Sequence, residues 1–290
     1  MAEQRPKKKV VESTVETPAA DASAPTWRPT AEAKSKATRF RIIAAVLWAL
    51  AIAGEAFAIF WVLRQNPVIM WLLIVMFVVI GALAIIGGQL WKKANDLDPA
   101  SRKDPVRFFV QNQLGAIISV VAFLPLIILV FTNKNMTGGQ KALAGIIGIV
   151  IAGAAVASNI DYSPASQEEY ANQAGLVQDI TGSDKVYWTT SGSVYHLCQE
   201  ASAVNKESAD NTIHAGTIAQ AQADGKARLT LQLPQELKEC GYTDYVLPDN
   251  WQAVVKGEAP FVPSGEVAPA VEPTSDGSET PVAPAPSATN

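Results

Sequence analysis

The chain has 290 residues, 49% of them hydrophobic, with 23 Lys or Arg against 27 Asp or Glu and a formal net charge of −4. This balance, with the acids gathered toward the C-terminus, argues against nucleic-acid binding, which requires a basic surface to neutralise phosphates. Two histidines in the whole chain limit His-dependent chemistry.

Residues 1–38 are rich in Lys, Glu, Ala, Thr and Pro and carry little apolar periodicity. Such a segment buries too little surface to offset chain entropy and is expected to be disordered. Its Lys7, Lys8 and Lys9 read as a solvated charge run.

Residues 39–160 hold four apolar stretches, at about 42–63, 68–90, 108–132 and 142–160, long enough to cross a bilayer. The second is flanked by Trp71 and Trp91. At about 1.5 Å per residue these tryptophans lie about 30 Å apart, the spacing of aromatic belts at the two interfaces. The third carries Gln111, Asn112 and Gln113 near its start and Pro125 near its end, and the fourth is rich in Gly and Ala. The first begins after about 40 polar residues and exceeds a typical signal-peptide core, so it is expected to remain as an anchor.

Orientation follows from Lys and Arg. Lys34, Lys36, Arg39 and Arg41 precede the first span, and Lys92, Lys93, Arg102, Lys103 and Arg107 fall between the second and third. The N-terminus and this loop are therefore expected in the cytoplasm, and parity returns the C-terminal region there too. Lys134 and Lys141, ahead of the last span, and the six Lys or Arg against 18 Asp or Glu in residues 161–290 pull the other way.

Residues 161–257 read as a small α+β domain. Ser166 with Glu169 forms a capping box that opens a helix ending before Gly182. Residues 186–190 and 193–197, joined through Ser191 and Gly192, predict a hairpin, since β-branched and aromatic residues flank a Ser-Gly turn. A helix is expected from near Cys198, and another over 218–224 between Thr217 and Gly225. Residues 229–233 alternate as a strand and lead into a short helix over 236–239. Residues 258–290, with seven prolines, no Lys or Arg and five acids, read as an extended disordered tail. The fold class is thus an α-helical membrane bundle of four transmembrane helices plus a small α+β soluble domain.

Few residues suggest chemistry. Glu55 sits near the middle of the first span, where a charged side chain costs at least about 2.5 kcal/mol. It would serve proton or cation handling, or stay protonated and hydrogen-bond a neighbouring helix backbone or Ser119. Ala84 with Gly88, and Ala144 with Gly148 and Ala152, form small faces that let helices approach closely. No P-loop, Gly-x-Ser-x-Gly, His-Glu-x-x-His or dinucleotide fingerprint occurs, so no enzyme activity is expected.

The run from Val194-Tyr195-His196 to Cys198, with Thr217 to Ala221, Gly225-Lys226 and Cys240, resembles small zinc-binding modules in which a Tyr-His-x-x-x-Cys segment precedes a short helix, a Gly-Lys step and a Cys pair. The resemblance covers residues 186–241. Here the His-to-Cys spacing is shortened and only Cys240 stands where a pair belongs. His196, Cys198 and Cys240 supply three zinc ligands, and His214 could be a fourth. The resemblance also brings Cys198 and Cys240 together, so a disulfide or two buried thiols are the alternatives, the disulfide needing an oxidising compartment. No cofactor other than such a zinc is implied.

The whole layout resembles that of uncharacterised multi-pass membrane proteins of actinobacteria. These readings together imply a non-enzymatic accessory or scaffold protein of the plasma membrane. The bundle would anchor it in lipid while residues 161–257 bind a protein of a membrane or envelope complex, with Tyr187, Trp188, Tyr195 and Tyr242 as aromatic anchors. The alternatives are a small transporter using Glu55 and a metal or thiol-redox sensor using Cys198, Cys240 and His196.

Overall fold

The computed structural model describes residues 8–12, 27–207 and 210–263; most of the expected disordered head and tail (1–7, 13–26 and 264–290) lies outside the described residues. Four helices are long and apolar enough to cross a membrane: α1 (Ala31–Phe60), α2 (Met70–Leu97), α3 (Pro105–Thr132) and α4 (Gly138–Asn159). The chain is a multi-pass membrane-type protein with a small α+β unit after the bundle.

Helix starts follow local chemistry. The Thr30 side chain accepts from the Ala33 N–H, and Asp104 accepts from Arg107 just ahead of Pro105. Thr137 and Gln140 form a reciprocal capping box, which is why α4 starts at Gly138 rather than 142. At 30 residues, α1 is about 45 Å long, longer than a hydrocarbon core of about 30 Å. Its first turns, carrying Lys34, Lys36, Arg39 and Arg41, therefore extend beyond the apolar segment.

The helices pack around α2, which lies against α1, α3 and α4, while α3 also packs on α4. Leu73, Phe77, Ile80, Ala84, Phe123, Leu126 and Val130 form the bundle core, and Phe77 stacks on Phe123 with centroids 6.4 Å apart. The outer surface is apolar: Ile42, Val46, Leu50, Val78, Ile86, Leu124, Ile128 and Ile146 are exposed. Exposed aliphatics over four faces suit a lipid solvent. Trp71 is 67% exposed at one end of α2, while Trp91 at the other donates to the Gln111 carbonyl and lies under Arg41.

The C-terminal unit begins with α5 (Gln167–Thr181), capped by Ser166 and stopped at Gly182, whose φ of 76° favours glycine. Strands β2 (Lys185–Trp188) and β4 (Thr212–Thr217) pair antiparallel, and β1 (Lys9–Glu12) adds to the other edge of β4 in parallel. Strands β3 (Val194–Tyr195) and β5 (Arg228–Leu229) form a second, parallel pair. The remaining helices are α6 (Ser202–Glu207), α7 (Ile218–Ala223), α8 (Leu233–Glu239) and α9 (Trp251–Val255). Leu176, Val177, Val186, Trp188, Tyr195, Ile218, Leu229, Leu233 and Val255 fill the core between them.

Several expectations change in detail. The two segments of the expected hairpin meet only at one bridge, Tyr187 to His196, because β2 forms its ladder with β4 and β3 with β5. Of the expected strand over 229–233 only Leu229 lies in β5, and α8, with Pro234 in its first turn, starts at Leu233 rather than 236. Helix α6 starts at Ser202 rather than near Cys198, and Lys9–Glu12 of the N-terminal segment is a strand. Of the four expected aromatic anchors, Trp188 and Tyr195 are buried in the core, and Tyr187 and Tyr242 are half-buried.

Candidate functional site

The module rests on the end of the bundle that carries the start of α1 and the α2–α3 loop. The Tyr170 hydroxyl of α5 donates to the Asp96 carbonyl at 3.1 Å, and the Gln167 side-chain amide donates to the Pro99 carbonyl at 3.0 Å. Ser101 donates its hydroxyl to Glu168, whose other oxygen accepts from the Arg102 N–H at 2.9 Å, and Arg102 reaches the Gly257 carbonyl. Trp27, ahead of α1, meets Tyr170 edge to face with centroids 4.8 Å apart.

Two neighbouring carboxyls in this seam behave oppositely. Burial raises Glu168, but the Ser101 hydroxyl and the Arg102 N–H outweigh it and hold the group below its ordinary value. Burial pushes Glu169 up to about 7, against the opposing pull of the Arg102 guanidinium 4.0 Å away.

Beside the seam lies a cavity of about 1360 Å³. The bundle end contributes Lys93, Asp96 and Arg102 to it, and the module contributes Glu169, Arg228 and Lys256. Its far wall holds Trp188, whose ring N–H donates to Asp224 at 3.1 Å and whose face stacks on His214.

Cys198 and Cys240 form a disulfide that joins the loop after β3 to the C-cap of α8. His196 lies nearby but is held differently: its Nδ1 is 2.6 Å from Glu236 Oε1, and Glu236 Oε2 accepts from the Leu197 N–H at 3.1 Å. His196 and Glu236 are each only 1% exposed. With the sulfurs bonded to each other, neither is a thiolate ligand. His214 stands on β4 opposite Trp188, its Nε2 3.3 Å from Thr190 Oγ1. Among the described residues no three of His, Cys, Asp and Glu form a group that could hold a metal ion.

Inside the bundle, Glu55 is buried, its carboxyl facing the backbone of Leu126, the residue after Pro125 in α3, and its Oε1 has no hydrogen-bond partner among the described residues. Ser119 is engaged elsewhere, donating to the Gly115 carbonyl and accepting from Asn159 at 2.9 Å. The small residues pack helices within the chain. The Ala84 carbonyl accepts from Asn159, Gly88 leaves room for the Asn159 side chain, and Gly148 lies under Phe77. Ala144 is buried in the bundle core, and Ala152 packs against it.

Sequence reasoning missed Glu236, Tyr170 and Asn159 as organising residues. Tyr170 and Glu236 lie on module helices where one polar residue in a turn is ordinary, and Asn159 ends an apolar run. Only the pairing partner distinguishes each of them, and partners distant in the chain leave no local signal. Comparison with protein-family models, curated proteins and solved structures gave no match.

Proposed function

We propose that this chain is a non-enzymatic accessory or scaffold protein of the plasma membrane whose C-terminal module holds a protein of a membrane or envelope complex. The observation that carries this reading is the seam. Contacts from Tyr170, Gln167, Glu168 and Arg102 fix the module to the bundle end, so the membrane anchor presents a binding unit in one orientation. Such pre-organisation lowers the ordering cost of binding.

The arrangement of titratable groups favours binding over catalysis. His196 and Glu236 are sealed in the core, where no substrate reaches them, and His214 stacks on Trp188. The burial of Glu55 against the backbone of α3 supports a packing role over transport.

Charge supports a cytoplasmic module. Lys34, Lys36, Arg39, Arg41, Lys92, Lys93, Arg102, Lys103 and Arg107 gather at the module's end of the bundle, against Arg64, Lys134 and Lys141 at the other. The Cys198–Cys240 bond would then be redox-responsive rather than permanent, which keeps a thiol-redox role as a second reading.

In-cell photo-crosslinking tests the proposal, with a photoreactive residue at Tyr162 or Val246, 77% and 85% exposed, and at lipid-facing Ile146 as a control. The expected result is one discrete protein adduct from the module positions and none from Ile146. Adducts absent from both module positions would overturn it.

A further inference from the structure

We propose that the cavity between bundle and module binds the phosphate-bearing headgroup of an anionic membrane lipid. The first ground is a concentration of positive charge against the trend of the chain. Residues 161–290 hold six Lys or Arg among 18 Asp or Glu, yet three of those six, Lys226, Arg228 and Lys256, line this one cavity. The bundle end faces them with Lys36, Lys93 and Arg102, so six cations meet four carboxylates there.

The second ground is which charges are already engaged. Arg102 faces Glu169 and holds the Gly257 carbonyl, Arg228 donates to the Leu229 carbonyl, and Lys226 donates to the carbonyls of Thr190 and Gly192. Lys36 pairs with Glu32. Of the carboxylates, Glu169 faces Arg102 and Asp224 accepts from Trp188, leaving Asp96 and Glu258 as acids a ligand would meet. Lys93 of α2 and Lys256 after α9 line the cavity from its two sides, and their ammonium groups have no hydrogen-bond or ion-pair partner among the described residues. An anionic group would satisfy both.

The third ground is depth. Phe40 lines the cavity, and the lipid-facing apolar surface begins two residues later at Ile42, 59% exposed. Between them Arg41 pairs with Asp98 at 2.7 Å and lies over the Trp91 ring, a basic and aromatic pair typical of the headgroup level. A basic pocket at that level suits a lipid phosphate, whose acyl chains would run along the bundle.

Native mass spectrometry of the full chain in detergent, with phosphatidylglycerol and phosphatidylcholine of matched acyl chains, tests this. The expected result is phosphatidylglycerol retained about tenfold over phosphatidylcholine, with that preference lost in Lys93→Gln/Lys256→Gln. It should persist in Lys93→Arg/Lys256→Arg and in Lys134→Gln/Lys141→Gln, which removes the same charge at the other end. An unchanged melting temperature checks that the Gln variant is folded. Equal retention of the two lipids, or an unaffected Gln variant, would overturn the proposal. Complete displacement by free glycerol 3-phosphate would also overturn it, in favour of a soluble phosphate ligand. The lipid readout is independent of protein crosslinking at Val246, so this inference and the partner-binding reading fail separately.

Discussion

Tyr170 and Asp96 join the two halves of the molecule: the phenol of α5 donates to a main-chain carbonyl in the last turn of α2. Tyr170 is 2% exposed and packs against Trp27, so it supplies both a hydrogen bond and buried area. Tyr170→Phe removes only the hydrogen bond and is expected to cost about 1 kcal/mol. Tyr170→Ala also opens a cavity and is expected to cost about 3–5 kcal/mol. Thermal unfolding of the purified chain in detergent measures both.

The disulfide closes an interval of 42 residues within the module. Replacing Cys198 and Cys240 by Ala is expected to lower module stability by about 2–4 kcal/mol. A reductant added to the oxidised protein should give the same loss, and the helical content of the bundle should not change. Paired denaturation curves with and without reductant check this.

Glu236 holds the loop that carries the first cysteine, through His196 and the Leu197 N–H. Glu236→Ala strands both buried groups and is expected to cost about 3–5 kcal/mol. Glu236→Gln should cost less, since its amide oxygen can still accept from Leu197. Chemical denaturation of the two variants side by side gives the ranking.

Gly88 and Asn159 meet so closely that a Cβ on Gly88 would lie 2.0 Å from Asn159 Oδ1. Gly88→Ala is expected to destabilise the bundle by about 1–3 kcal/mol, and adding Asn159→Ala should recover part of that loss. A double-mutant cycle on detergent-solubilised protein reads the coupling.

Glu169 gives the seam a pH dependence. Its carboxyl is raised from 4.5 to about 7 in the folded chain, so the fold favours the protonated form. The stability it contributes is fully present below pH 4.5 and is lost as pH rises through about 7. The melting temperature should therefore fall over that window in the native chain and fall less in Glu169→Gln.

The sequence makes the fold's outline legible because its signals are local. Four apolar runs specify four spans, and Ser166 with Glu169, and Thr217, mark the starts of two module helices by capping. Strand pairing is not local. The segment Thr212–Thr217 alternates buried Ile213 and Ala215 with less buried neighbours, yet nothing in it says that β2 and β1 flank it. The resemblance around His196 and Cys198 brought Cys198 and Cys240 together, but the partner of His196 is Glu236, which no ligand pattern includes. The cavity is an arrangement of residues from both halves, so its cations look like scattered surface charge when read along the chain.

The proposed orientation, with the module and the bundle end rich in Lys and Arg facing the cytoplasm, is directly measurable. The direct measurement is labelling of single cysteines by a membrane-impermeant maleimide in intact cells, with Cys198 and Cys240 replaced by Ala. Val246→Cys, on the exposed module surface, should react only after lysis, and Lys134→Cys, in the α3–α4 turn, should react in intact cells. Labelling of Val246→Cys in intact cells, with Lys134→Cys protected, would overturn the cytoplasmic orientation and place the module in an oxidising compartment where its disulfide is permanent.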